Sequence, residues 1–184
     1  MRPYSTMKFR NAIPVAFCLG FHVLTLHAQP AAPNRVLKLG GGTGYAELPS
    51  GAFNDLEEAT VEGWVKWGDD KAFARFFDFG TTWRTVYVAR GASSSDVVVD
   101  LVRSRADFVR VAGRNLFRTH QWSHLAAVIE KQRASLYFNG VLVGSAAYPG
   151  SFNTAQGGER NYLGRDNWWD AFNVRDTAVE IDEF

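Results

Sequence analysis

The sequence predicts an all-β fold, a two-sheet antiparallel β-sandwich, and three observations carry that expectation. From residue 36 onward, short runs of β-branched and aromatic residues recur, broken by Gly, Asn and Asp. Strands with turns at intervals of about 8 to 12 residues indicate a sandwich or barrel. An Asn-Gly pair at 139–140 stands between two such runs, and Asn-Gly is the favoured two-residue hairpin turn because both residues accept positive φ. No stretch sustains a helical period; only residues 53–59 (FNDLEEA) offer one helical turn. The expectation is a chain with more than about 40% strand and almost no helix, well above the usual strand share.

The first 28 residues read as a cleavable export signal rather than as part of the fold. Arg2, Lys8 and Arg10 form a basic start, residues 12–26 are uncharged and mostly apolar, and Ala28 gives a small residue at the exit. A membrane anchor needs about 18 or more apolar residues; this run is shorter and contains Pro14 and His22. Residues 29–34 (QPAAPN) form a Pro-rich spacer. The expected destination is the extracellular space or the periplasm, with no membrane association after cleavage. Cys18, the only cysteine, lies inside the signal, so the mature chain has no disulfide and depends on core packing. About 150 residues suffice, since a domain of that size buries roughly two-thirds of its unfolded surface. The signal takes three of the 20 basic residues and none of the 19 acidic ones, leaving a net charge of about −2. With no basic run, nucleic acid is not an expected partner.

Residues 36–39 and 45–48 flank a glycine-rich turn and read as two strands. Residues 60–67 (TVEGWVKW) alternate: Val61, Gly63, Val65 and Trp67 share one face, and Thr60, Glu62, Trp64 and Lys66 the other. Residues 73–79 (FARFFDF), 86–90, 97–103 and 108–111 follow as further strands. Residues 122–130 (WSHLAAVIE), 134–138 (ASLYF) and 141–145 (VLVGS) make three consecutive antiparallel strands, with turns at 131–133 and 139–140. Trp64 and Trp122 are expected in the core.

Four segments together resemble the LamG-like jelly-roll family of the concanavalin A-like lectin and glucanase superfamily. They are LKLGGGTGYAELP, ATVEGWVKW, WSHLAAVIEKQRASLYFNGVLVG, and NYLGRDN leading to VEIDEF. The resemblance covers residues 35–184 and implies a jelly roll of concanavalin A-like type, with two sheets of six or seven strands. Members usually continue past this closing stretch, so the domain is expected to lack its final strand or tail. The glycine-rich opening turn also departs from the Asp or Asn often found there.

The candidate chemistry gathers in the loop GRDNWWD. Trp168, Trp169 and Phe172, beside Asn167, suit a sugar, whose C–H faces pack on aromatic rings; the alternative is that they tuck beneath the loop as a satellite cluster. Trp83 is a further candidate. Asp166 and Asp170 make the loop oxygen-rich, as a calcium ion requires, although Asp and Asn also cap turns unaided. The resemblance implies one structural Ca²⁺ near the closing strand, which would implicate Asp182.

Catalytic residues are not expected. Glu180 and Asp182 alternate on one strand face, similar to the carboxylates of the superfamily's β-glucanases, but the next position on that face is Phe184 rather than an acid. His120 and His124 lack the HExxH context of a zinc site. Gly40 to Gly44 precede a strand, not a helix, and make no nucleotide cradle. The expected function is a non-catalytic recognition module for a glycan or an extracellular protein, as part of a larger molecule. The alternatives are a spacer domain without small ligand and, third, a glycoside hydrolase.

Overall fold

Twelve strands and one four-residue helix make up the described chain. They are β1 (Leu37–Gly42), β2 (Ala46–Leu48), β3 (Ala59–Trp67), β4 (Arg75–Thr81), β5 (Arg84–Arg90) and β6 (Val97–Ser104). Then come β7 (Asp107–Gly113), β8 (Ser123–Glu130), β9 (Gln132–Phe138), β10 (Val141–Tyr148), α1 (Phe152–Ala155), β11 (Arg160–Leu163) and β12 (Asp176–Asp182). The computed structural model describes residues 34–92, 94–155, 158–168 and 176–184. The export signal, all of the spacer except Asn34, and Trp169, Asp170 and Phe172 lie outside the described residues.

Two antiparallel six-stranded sheets face each other in a jelly-roll sandwich, as the sequence predicts. The first runs β1-β12-β3-β8-β9-β10, and the second β2-β11-β4-β5-β6-β7. Residues 36–48 do form two strands, but not a hairpin within one sheet. β1 and β2 belong to different sheets, joined by a single bridge between Gly41 and Gly44. Gly41 and Gly42 adopt φ of 74° and 71°, which lets the chain leave one sheet and enter the other without a side-chain clash.

The alternation of residues 60–67 holds. Val65 and Trp67 are fully buried between the sheets. They meet Phe76, Phe77, Phe79, Val88, Leu125, Ile129 and Leu136 in one continuous core. Each such large side chain contributes roughly 1.5–3 kcal/mol relative to exposure, and none of the described residues is a cysteine.

Trp64 and Trp122 do not belong to that core. Each is 38% exposed, because Trp64 follows its strand's period to the outside, beside Glu62 and Lys66, and Trp122 precedes β8 on the same surface. The helical turn expected at 53–59 is replaced by turns, and the helix is α1, where Phe152 and Ala155 cap the core.

The three-strand meander β8-β9-β10 forms as expected. Asn139 and Gly140 both take positive φ, 49° and 78°. The first turn is tighter than expected, since β9 already begins at Gln132, itself at φ 62°. β10 bulges between Leu142 and Gly144. A second bulge, between Arg75 and Phe77 in β4, places consecutive Phe76 and Phe77 both in the core. It thereby turns Arg75 to the outer face, alongside Asp78.

Nothing lies within 4 Å of a Cβ built on Gly140, so the cost of a side chain there is purely conformational. Gly140→Val should lower unfolding stability by about 1 kcal/mol or more, read as a reduced urea midpoint with unchanged slope.

Candidate ligand-binding site

Strand register sets the site before any loop contributes. Across the outer face of the second sheet, Tyr162 pairs with Asp78, Asp78 with Tyr87, Tyr87 with Asp100, and Asp100 with Arg110. These are five polar or aromatic residues in one row, and three of the strands are otherwise mainly apolar. Valines 98 and 102 and Ala89 flank the row, forming with Tyr87 a second, smaller apolar cluster against which Trp168 packs. Residues 164–168, after β11, thus fold back over this face.

Asp78, Tyr87 and Asp100 of the row are buried and paired, while Arg110 at its edge is partly exposed. Arg75 is 3% exposed. Its Nε donates to Asp78 Oδ2 at 3.0 Å, its Nη1 to the Phe73 carbonyl at 3.0 Å, and its Nη2 meets Asp166 Oδ2 at 3.0 Å. The guanidinium lies over the Tyr87 ring, 3.9 Å from its centroid, a cation–π contact that gains from desolvation. Asp78 also accepts from Thr85, from the Asn167 amide N–H at 3.2 Å and from Asn167 Nδ2 at 2.9 Å. Asp100 accepts both Arg110 Nε at 2.7 Å and Nη2 at 2.6 Å, plus the Tyr87 hydroxyl. Such bidentate, charge-assisted pairs are the strong class of hydrogen bond.

Above this floor opens a hollow of about 360 Å³, walled by Phe73, Val102, Phe108 and Trp168, with Arg105 at its lip. Its size lies in the range of small-molecule sites. Trp83 supports the wall from behind, its ring 4.7 Å from that of Trp168, and Arg105 lies over Trp83 at 5.4 Å. Phe73 holds φ of 58°, a strained conformation for an aromatic residue and one that clusters at binding sites. Arg165 and Asp176 clamp the two ends of the loop through bonds of 2.7 and 2.9 Å.

The structure therefore brings together four of the residues singled out from sequence: Trp168, Trp83, Asn167 and Asp166. Their roles differ. Asn167 is 1% exposed and ties the loop to Asp78, while Trp168 and Asp166 line the hollow. Of the calcium ligands expected from sequence, the described residues include Asp166 and Asp182, which line the outer faces of different sheets. Asp166 spends its carboxylate on Arg75 and on the Trp168 amide. Asp182 lies on the outer face of the other sheet beside Trp64 and Trp122, and Asp170 is outside the described residues. Among the described residues no three acidic, His or Cys side chains are grouped to hold a metal. Glu180 binds Lys66 at 2.6 Å and Lys38 at 3.7 Å, and the Lys66 bond holds its carboxyl below the usual range.

Sequence reading missed Arg75, Asp78, Tyr87, Asp100 and Arg110. The available signal was a charge inside an apolar run: Asp100 in VVVDLV and Arg75 and Asp78 in FARFFDF.

The profile of a laminin G-type family, described as concanavalin A-like lectin/glucanases superfamily, matches residues 40–184. The chain belongs to that superfamily. Among solved structures, it resembles the CBM40 of the Ruminococcus gnavus IT-sialidase, bound to α2,3-sialyllactose. There the TM-score is 0.62 at 14% identity, over 79% of this chain and 88% of that one. Domain 4 of a GH43 extracellular arabinanase from Geobacillus stearothermophilus, in complex with arabinotriose, matches at TM-score 0.52 and 20% identity, covering 82% and 79%. Mouse laminin α1 domains LG4-5 match at 0.56 and 12%, over 81% of this chain and 40% of theirs. No curated protein sequence matches it. At these identities the structural likenesses establish this superfamily's jelly roll and nothing finer.

Burial, then the nearby charge of Asp78, pushes the Asp166 carboxyl up to about 6, against the opposing pull of Arg75. The folded state therefore holds a proton that the unfolded chain releases near pH 4. This group's contribution to stability is full below that point and falls as pH rises to about 6. Asp166→Asn should abolish that decline. The difference in unfolding free energy between the two proteins should change between pH 4 and 6 by on the order of 2 kcal/mol, measured by denaturant titration.

Proposed function

We propose that this chain is an exported, non-catalytic glycan-recognition module, and that the hollow on the outer face of the second sheet receives the sugar. The observation that carries the reading is the hollow's construction. Aromatic and aliphatic walls, Phe73, Val102, Phe108 and Trp168, stand over a floor of Arg75, Tyr87, Asp100, Arg110 and Asp166. Aromatic faces suit the C–H faces of a pyranose or furanose ring, and fixed polar groups suit its hydroxyls. Two similar structures, the CBM40 and the arabinanase domain, are solved with saccharides bound, which supports the same ligand class here.

The floor also supports a binding role over a catalytic one. A glycosidase needs one carboxyl free to protonate and another free to attack or to activate water. Asp100 is clamped by Arg110 and Tyr87, and Asp166 by Arg75 and a backbone amide. Glu180 is ion-paired on the opposite face. Export rests on the basic start, apolar run and small-residue exit of residues 1–28. Among the described residues no helix is long and apolar enough to cross a membrane.

A glycan array probed with the chain from residue 29 onward should retain a defined set of saccharides. Phe108→Ala, at a position 55% exposed, should weaken that binding at least tenfold by calorimetry while the melting midpoint holds. Trp168→Ala should do the same with a modest loss of stability. An array without retained glycans, or binding indifferent to both changes, would overturn the reading.

A further inference from the structure

The outer face of the first sheet carries a second hollow that the glycan site does not use. It measures about 440 Å³ and is lined by Asn34, Val36, Trp64, Trp122, Asp182 and Glu183. The two tryptophans are those the sequence assigns to the core, and each leaves more than a third of its surface open. Exposed indoles facing one hollow beside carboxylates are a costly arrangement to leave in water, since tryptophan is usually well buried.

The charge at this hollow is unbalanced. Asp182 accepts from Asn34 Nδ2 at 2.6 Å and from the Glu183 amide at 3.0 Å, both neutral donors. Among the described residues no cation pairs with Asp182 or Glu183. The nearby lysines are paired with another acid: Lys66 and Lys38 share Glu180, at 2.6 and 3.7 Å. His124 stands edge-on to Trp64 at 5.4 Å and 3.7 Å from Glu62. Two unpaired carboxylates repel an anionic ligand and attract a cationic one. The indoles add to the same preference, because a ring face draws an ammonium group. Trp122 already does so within the chain, with the Lys66 ammonium 5.1 Å from its ring centroid. At about 440 Å³ the hollow also exceeds what a bare ammonium fills, and Val36 and the indoles offer apolar contact for a ring.

We propose that this hollow is a second binding site, selective for a saccharide bearing a free amino group. The saccharide part of this assignment rests on the glycan reading of the chain; the preference for a cation rests on the hollow alone. Asp182 and Glu183 would take the ammonium and hydroxyl groups, and Trp64 and Trp122 the C–H faces.

The test compares two probes that differ only in charge. The full chain is titrated calorimetrically at pH 5.5 with the β-1,4-linked glucosamine tetramer and with its fully N-acetylated counterpart. The free amine should bind at least tenfold more tightly, and less tightly as salt is raised. Trp122→Ala and Asp182→Asn should each weaken it at least tenfold, with unchanged melting midpoints as the check on folding. Phe108→Ala, in the other hollow, should leave it untouched. Equal affinity for both tetramers, no saturable binding of the amine, or loss of binding in Phe108→Ala would each overturn the proposal. Tetramethylammonium binding as tightly as the tetramer would leave a cation site without a sugar, and would overturn the saccharide assignment. Saccharides retained on the second-sheet face are scored by Phe108→Ala and Trp168→Ala, so failure of one site is read separately from failure of the other.

Discussion

The outer face of the second sheet depends on one guanidinium. Arg75 joins Asp78 of its own strand to Asp166 of the covering loop, rests on the Tyr87 ring and fixes the Phe73 carbonyl. Without it two buried carboxylates would lose their cationic partner and keep only neutral donors, and removing one partner of a buried pair costs roughly 3–5 kcal/mol. With it, an ion pair joins the Asn167 hydrogen bonds and the packing of Trp168 in binding the loop to the sheet. The arrangement exists only because β4 bulges. A regular strand would point Arg75 toward the core and Phe76 outward; the extra residue reverses both.

This dependence explains which features the sequence could disclose. Elements with a local cause were legible. Residues 60–67 alternate because one face is buried, and 139–140 turn because Asn and Gly tolerate positive φ. The family profile matches residues 40–184, nearly the whole span of 35–184 that the resemblance covered. Features with a non-local cause were not legible. The row from Tyr162 to Arg110 needs the register of five strands, and a bulge leaves no mark on composition. Asp166 and Asn167 looked like an exposed oxygen-rich turn because sequence does not reveal that Arg75 and Asp78 lie beneath them. Trp64 was misplaced by residue type against its own strand's period; the period was the better guide.

The two outer faces of the sandwich differ in preparation. On the second sheet, nearly every polar group beneath the hollow already has a partner, so the floor would have little left to reorganise around the proposed ligand. Such preorganisation lowers the entropic cost of binding and favours discrimination by shape. On the first sheet, the flanking side chains are half-exposed and their charges only partly offset, a surface better suited to electrostatic selection that weakens as ionic strength rises.

The strand order has a kinetic consequence. β12 lies between β1 and β3 in the first sheet, so the earliest strand has no sheet neighbour until the latest one arrives. The meander β8-β9-β10 and the run β4-β5-β6-β7 can zip from local turns, but β1 must wait for a partner some 140 residues downstream, as the pairing of Leu37 with Ile181 shows. Closing so large a loop is what slows all-β chains. The sandwich is therefore sealed last along the seam that joins its two ends, and until then the core facing β1 remains open to water.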